Sequence, residues 1–369
     1  MTIENDLFLR ACRYEQTDRS PVWLMRQAGR YLPEYQKTRA KAGSFMGLAT
    51  NPDYAAEVTL QPLDRYDLDA AILFSDILTI PDAMGLGLSF VNGEGPQFSH
   101  PLNTETAVKN LVEADMAKLD YVFNAVKTIK KSLLRNGQQR VPLIGFSGSP
   151  WTLACYMIEG SGSKDFINTK KMLYNHPDLL QRILDINIKS VTQYLELQIE
   201  AGVEAVMIFD TWGGMLSTQD YLKYSLEPMS RIIKEIKSVK KYESVPIILF
   251  TKGGSGWLHA MSTSNADVIG LDWTIDLKVA RETLSNTGKN LAIQGNLDPL
   301  ILLANPKEIE KRVHDSILNL AEAKISSNNP LQGHIFNLGH GINLATPPEN
   351  VQTLIEAVRT ASTQVRLHQ

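Results

Sequence analysis

Eight short apolar runs recur along the chain, at residues 21–25, 68–74, 141–146, 203–209, 246–251, 268–272, 291–295 and 334–338. Each is about one strand long, and most are rich in Ile, Val, Leu and Phe without strict alternation. Continuous apolar character suits a strand covered on both faces, as in a parallel sheet. Helical patterns separate many of the runs. After the last one, Val351, Leu354, Ile355 and Val358 form one helix face, with Pro347 and Pro348 where that helix would start. Asn51-Pro52 opens another helix, Ala201-Gly202 closes a long one, and Gly288 closes a further one before Leu291. Strands alternating with helices imply an α/β fold. Eight of them favour a TIM-type (β/α)8 barrel, with a doubly wound open sheet as the alternative. No linker, fixed-period repeat or second composition regime appears, so residues 1–369 read as one domain. The 77–100 stretch, with Gly85, Gly87, Gly93 and Gly95, reads as an irregular excursion or hairpin.

Several function classes fall away on composition. A chain that is 43% hydrophobic with a net charge of -3 is not dominated by disorder. No window supplies the ~18 uninterrupted apolar residues that a membrane-spanning helix requires. Glu4 and Asp6 are unlike a secretory leader or a transit peptide. Cys12 and Cys155 cannot form a disulfide framework. A cytoplasmic protein is expected, without membrane or nucleic-acid partners, since nucleic-acid binding favours a basic face. An anionic small substrate remains open, because a few local arginines suffice to hold one.

The segments just past the runs carry the chemistry. They are MRQAGR, FSD, FSGSPWT, FDTWGG, TKGG, LDW, QGNLD and NLGHG. In a barrel these ends meet at one mouth, where active sites sit. Turn chemistry explains the glycines, but it does not explain Arg26, Arg30, Trp151, Trp212 and His340. Arg26 and Arg30 are four apart, so a helical turn would place both guanidiniums on one side, facing an anion. The alternative is that each pairs with an acid such as Glu34 or Asp53. Asp76 closes a long apolar strand and should be poorly solvated, which raises a carboxyl pKa unless donors are supplied. It reads as a general acid/base, as a fixed negative charge for a cation or N–H donors, or as a helix cap. Asp210 reads similarly, although the next helix begins only near Ser217. His340, between Gly339 and Gly341, suits a donor or proton-transfer role, or a structural one. His334 and His340 lie roughly 20 Å apart along an extended chain, too far to share a metal, and no zinc site is expected. Three near-motifs read as strand-end turns. They are Gly145 to Ser149 beside the nucleophile elbow, Gly85-Leu86-Gly87 beside the dinucleotide loop, and Thr251 to Gly256 beside the Walker loop. The residues alone therefore describe a barrel enzyme for a polyanionic small molecule, with no metal or nucleotide cofactor. Its mouth carries paired arginines, one aspartate, a helix start bearing Tyr156, and a histidine.

The segment PVWLMRQAGRYLPEYQ resembles the N-terminal signature of the uroporphyrinogen decarboxylase family. FSDIL, GFSGSPWTLACYMIEG, FDTWGG, QGNLDP and NLGHG resemble later family segments in the expected order, so the likeness covers essentially the whole chain. The resemblance implies a single barrel, a homodimer, no cofactor, and a place in haem or chlorophyll synthesis in the cytoplasm, or in a plastid of a photosynthetic eukaryote. It also implies the reaction: four acetate side chains of uroporphyrinogen III become methyls, giving coproporphyrinogen III and CO2. By the same likeness, Asp76 would accept the pyrrole N–H groups of a protonated ring, and Arg26 would help deliver the proton. Arg26, Gln27, Ala28, Gly29 and Arg30 would meet the substrate, together with Tyr156, Thr211 and His340. Thr211 stands where serine is frequent, which keeps the hydroxyl and adds a methyl. Two other readings compete. A corrinoid-linked methyltransferase on the same barrel would need His and Cys zinc ligands, which Cys12 and Cys155 do not supply. A non-catalytic tetrapyrrole-binding barrel would not need Asp76 and both arginines.

Overall fold

A computed structural model describes residues 2–91, 95–325 and 327–367. Seven parallel strands form one curled sheet: β1 (Ala71–Ile72), β2 (Leu143–Gly148), β3 (Ala205–Asp210), β4 (Ile247–Thr251), β5 (Val268–Gly270), β6 (Ala292–Leu297) and β7 (His334–Leu338). They neighbour one another in chain order, and helices such as Pro177–Ala201 and Pro348–Leu367 lie between or after them. Each strand falls within one of the eight apolar runs or overlaps it.

The remaining run, residues 21–25, closes the circle without becoming a regular strand. Val22 bridges Phe336 of β7 in parallel. Phe336 N–H donates to Pro21 O at 2.8 Å, and Asp69 N–H donates to Val22 O at 2.8 Å. The segment thus joins β7 to the approach of β1, and the barrel reading holds over the open sheet. Buried Asp69 anchors the closure. It takes both Arg19 guanidinium nitrogens at 2.7 Å, Val22 N–H at 2.7 Å and Asn5 Nδ2 at 2.7 Å.

The bore is filled rather than hollow. Trp23 and Phe250 are fully buried in it. Trp23 Nε1 donates to Gln294 Oε1 at 2.9 Å, which satisfies two polar groups that would otherwise be stranded. Helix ends reflect the local sequence. Asn51 caps Pro52–Arg65, Ser149 caps Pro150–Glu159, and Ala201 ends the 25-residue helix before Gly202. Residues 77–100 contain the antiparallel hairpin Leu88–Val91 with Gly95–Phe98, while Gly93 lies outside the described residues.

His334 is structural. Ser20 Oγ–H donates to its Nδ1 at 2.8 Å, and its Nε2–H donates to Gly295 O at 3.3 Å. Burial, then the Arg281 charge, pushes the imidazole down to about 3. The unfolded chain takes up a proton near pH 6.5 that the folded chain refuses, so stability falls as pH drops from about 6.5 towards 3, by on the order of 5 kcal/mol in all. His334→Gln can keep both hydrogen bonds without titrating. Its melting temperature should fall less between pH 6.5 and 4 than that of the unsubstituted protein, and equal slopes would show that His334 does not set the acid response.

Candidate active site

The C-terminal ends of the strands gather the polar segments at one mouth, as the barrel reading requires. The closing segment and β7 are stitched together there. Met25 N–H donates to Asn337 Oδ1 at 3.0 Å, and Ile342 N–H donates to Met25 O at 2.9 Å. Arg26 comes next, in a left-handed conformation at φ 60°. The 26–30 stretch is therefore an irregular turn and not the helical turn expected from the four-residue spacing. The reason is that residues 21–25 remain extended to complete the barrel, and the chain must reverse at once beyond them.

This turn still leaves both guanidiniums available. Glu34, one of the two acids of the alternative reading, is taken by Arg65 through bonds of 2.6 and 2.8 Å. Among the described residues neither Arg26 nor Arg30 has a hydrogen-bonded or ion-paired side-chain partner. Arg26 lies against Gly341, where an added Cβ would come within 2.4 Å of its Cδ. Gly341 is thus the gap that admits the Arg26 stem. A pocket of about 450 Å3 beside Arg30 is lined by Tyr35, Arg39 and Leu344.

Gln27 departs from the expected substrate-facing role. Its side chain is buried, with Oε1 accepting from Leu24 N–H at 3.1 Å and Nε2 donating to Ala70 O at 3.1 Å. It braces the turn, and Tyr31 OH donates to its carbonyl at 2.9 Å. Ala28 and Gly29, both part-buried, continue the turn.

Asp76 sits six residues past Ala70, part-buried. Its Oδ1 accepts Leu78 N–H at 2.8 Å within a local turn, but the helix Thr79–Pro81 that follows has Leu78 and not Asp76 at its N-cap position. Its Oδ2 has no hydrogen-bond partner among the described residues. Burial raises its pKa, while the Leu78 N–H and the Arg26 charge pull it back down. Asp76 and Arg26 are therefore close enough to act on each other.

Asp210 has the opposite environment. It is fully buried and accepts four hydroxyls: Ser149 at 2.6 Å, Thr152 at 3.0 Å, Ser225 at 2.7 Å and Thr251 at 3.1 Å. These come from the segments beyond β2 and β3 and from the end of β4, so Asp210 clamps the rim and has no lone pair left for a ligand. Gly213 makes room for it, since a Cβ there would fall 1.8 Å from Asp210 Oδ2.

Tyr156 lies in the second turn of Pro150–Glu159 and not at its start, because Ser149-Pro150 begins the helix earlier. Its ring packs 6.2 Å from those of Phe166 and Trp212. Burial raises the phenol above its usual range, with smaller effects from Asp76 and Arg26. It stays protonated at neutral pH. Thr211 is part-buried, and its hydroxyl has no hydrogen-bond partner among the described residues. His340 is part-buried 6.4 Å from the Phe250 ring. Burial, then Arg26 and Lys252, push it down to about 4, so it is a neutral hydrogen-bonding group and not an imidazolium.

Asp76, Arg26, Tyr156 and His340 thus meet electrostatically, through Arg26, although they come from four separate strand ends. Among the described residues no three His, Cys, Asp or Glu side chains gather as metal ligands. Cys12 and Cys155 are both buried. Lys252 also reaches this mouth. The sequence gives no hint of it, because an isolated lysine in a glycine-rich turn after a strand carries no signal of its own.

The family model for uroporphyrinogen decarboxylase matches residues 3–361. A curated protein named uroporphyrinogen decarboxylase from Cupriavidus necator is 57% identical over 367 residues, covering 100% of this chain and 99% of that one. The protein of that name from Ralstonia nicotianae is 56% identical, covering 99% and 98%. Among solved structures, a methyltransferase from Methanosarcina mazei superposes with a TM-score of 0.76 at 19% identity, covering 98% and 99% of the two chains. That likeness extends to the fold alone.

Proposed function

Because this chain belongs to the uroporphyrinogen decarboxylase family, we propose that Asp76 and the two arginines perform the decarboxylation at the barrel mouth. The chain decarboxylates uroporphyrinogen in tetrapyrrole biosynthesis. Loss of CO2 from an acetate leaves a carbanion that needs an electron sink. The attached pyrrole becomes that sink once a ring carbon is protonated. The protonated ring is cationic, with its N–H groups directed to the centre of the macrocycle. Asp76 Oδ2 accepts them and offsets the developing charge. Arg26 and Arg30 grip peripheral carboxylates in charge-assisted pairs. Arg26, next to Asp76, also assists proton delivery. Tyr156, Thr211 and neutral His340 supply hydrogen bonds, and the turn at Gln27, Ala28 and Gly29 offers backbone.

The observation that carries this reading is an open carboxylate oxygen within reach of the Arg26 charge, with neither Arg26 nor Arg30 held by a protein counter-ion among the described residues. Anaerobic incubation of the purified protein with uroporphyrinogen tests it by release of coproporphyrinogen. The fully ionised carboxylate is the active form, and burial raises its pKa. Activity should therefore fall on the acid side at a pH above the ordinary aspartate value of about 3.9. Removing the Arg26 charge should move that limb higher still. A limb that stays fixed in Arg26→Met would show that Arg26 does not act on Asp76.

Arg30→Ala should raise KM for uroporphyrinogen by ~10- to 100-fold, as one carboxylate loses a charge-assisted partner. Unchanged steady-state constants would make Arg30 structural. We further propose one barrel unit acting as a homodimer in the cytoplasm, with neither membrane nor nucleic acid as partner. The core supports the first part, because a single contiguous cluster runs from Phe8 to Val365.

A further inference from the structure

Around the barrel, β4 stands opposite the closing segment, four positions away in either direction. Arg26 and Arg30 leave the closing segment, and Lys252 stands immediately after β4. The backbone at Lys252 is held from both sides. Its N–H donates to Asp210 O at 3.0 Å, and its carbonyl accepts Gly214 N–H at 3.1 Å. Gly214 can approach only because it lacks a side chain, since a Cβ there would lie 2.3 Å from Lys252 O. Gly253, at φ 75°, then turns the chain and donates to Asp272. The root of the lysine is thus fixed on the rim by the same loops that Asp210 clamps.

The side chain is part-buried, with Nζ 5.9 Å from the centre of the Trp273 ring. Among the described residues it has no carboxylate within ion-pair distance, and the nearby Asp272 spends its oxygens on Gly253, Ser255 and Thr274. Its charge reaches His340, as does that of Arg26. A lysine that served only solubility would extend into water and would have no need of a clamped root. This one is a third cation without a counter-ion, rooted at the end of the strand that stands opposite the closing segment.

We propose that Lys252 binds a peripheral carboxylate on the side of the tetrapyrrole opposite the side held by Arg26 and Arg30. This rests on the reading of the mouth as the tetrapyrrole site. The substrate carries carboxylates on every ring, so a macrocycle centred over Asp76 presents anions to both sides at once. Gripping it at opposite edges fixes its tilt, which two arginines on one edge leave free. Lys252 is a positioning residue and takes no part in the proton transfer.

The test compares Lys252→Met, Lys252→Arg and Arg30→Ala under anaerobic steady-state conditions with uroporphyrinogen. Lys252→Met keeps both backbone hydrogen bonds and should melt like the unsubstituted protein. Its KM should rise ~10- to 100-fold with kcat changed by less than about threefold, and Lys252→Arg should restore most of the affinity. A wild-type KM in Lys252→Met, with KM raised in Arg30→Ala, would overturn the Lys252 assignment alone. Wild-type KM in both variants would overturn the reading of the mouth itself. A KM raised equally in Lys252→Met and Lys252→Arg would also count against the assignment, since a cation would then be immaterial. Should Lys252→Met fail to fold, Lys252→Gln carries the same comparison.

Discussion

Asp76→Asn should lower kcat for uroporphyrinogen by at least ~10^3-fold while leaving the melting temperature within about 2 °C. The first half comes from charge. An amide has no negative charge to offset a protonated pyrrole, and removal of one preorganised electrostatic group costs on the order of 10^2 to 10^3 in rate. Asparagine makes this worse in a specific way. Its Oδ1 would keep the bond to Leu78 N–H, which leaves Nδ2, a donor, in the place of the open acceptor Oδ2. Donor would then face donor at the ring centre. The second half comes from the same bond, because the local turn at Asp76 keeps its acceptor. Single-turnover measurement under anaerobic conditions reads the chemical step directly. A variant that turns over near the normal rate would remove Asp76 from the reaction.

Asp210→Ala should show the reverse profile, a severe loss of stability rather than of chemistry. Four hydroxyls converge on that carboxylate, and truncation strands all of them in a dry rim. Bonds to a buried charge contribute about 1.5–3 kcal/mol each, and loss of a shared acceptor is less than additive, so a loss of ~3–5 kcal/mol is expected. Against a total stability of ~5–15 kcal/mol this is a large fraction. Asp210→Asn should lose less, because the Ser225 and Thr251 hydroxyls can rotate to accept from the amide. Chemical denaturation of the three proteins checks the order. An Asp210→Ala protein that is stable but inert would make Asp210 a reacting acid and the hydroxyl clamp incidental.

The contrast between these two aspartates shows where the sequence stops being informative. Asp76 lies two residues beyond Phe74 and Asp210 directly after Phe209, each at the end of an apolar run, and nothing local separates their roles. What separates them is long-range: the donors to Asp210 stand up to 61 residues away, and only the barrel closure brings them in. The eight runs are legible because a buried parallel strand must be apolar throughout, whichever way it faces. The irregularity of residues 21–25 is not, since their paired neighbours lie at Asp69 and Phe336. The arginine pair reads correctly as unpaired cations but on a wrong geometry. Spacing of four implies one face only in a helix, and Arg26 at a positive φ is not in one. Gln27 misleads for a related reason: Arg26 beside it is exposed, yet its own side chain is spent on Leu24 and Ala70.

A crystal structure with coproporphyrinogen bound, obtained anaerobically, addresses the role of Asp76 most directly. The account predicts Oδ2 within about 3.2 Å of the inner pyrrole nitrogens, with the Leu78 N–H still on Oδ1. A bound macrocycle whose nitrogens face another group, with the Asp76 carboxylate rotated wholly into the scaffold, would contradict it.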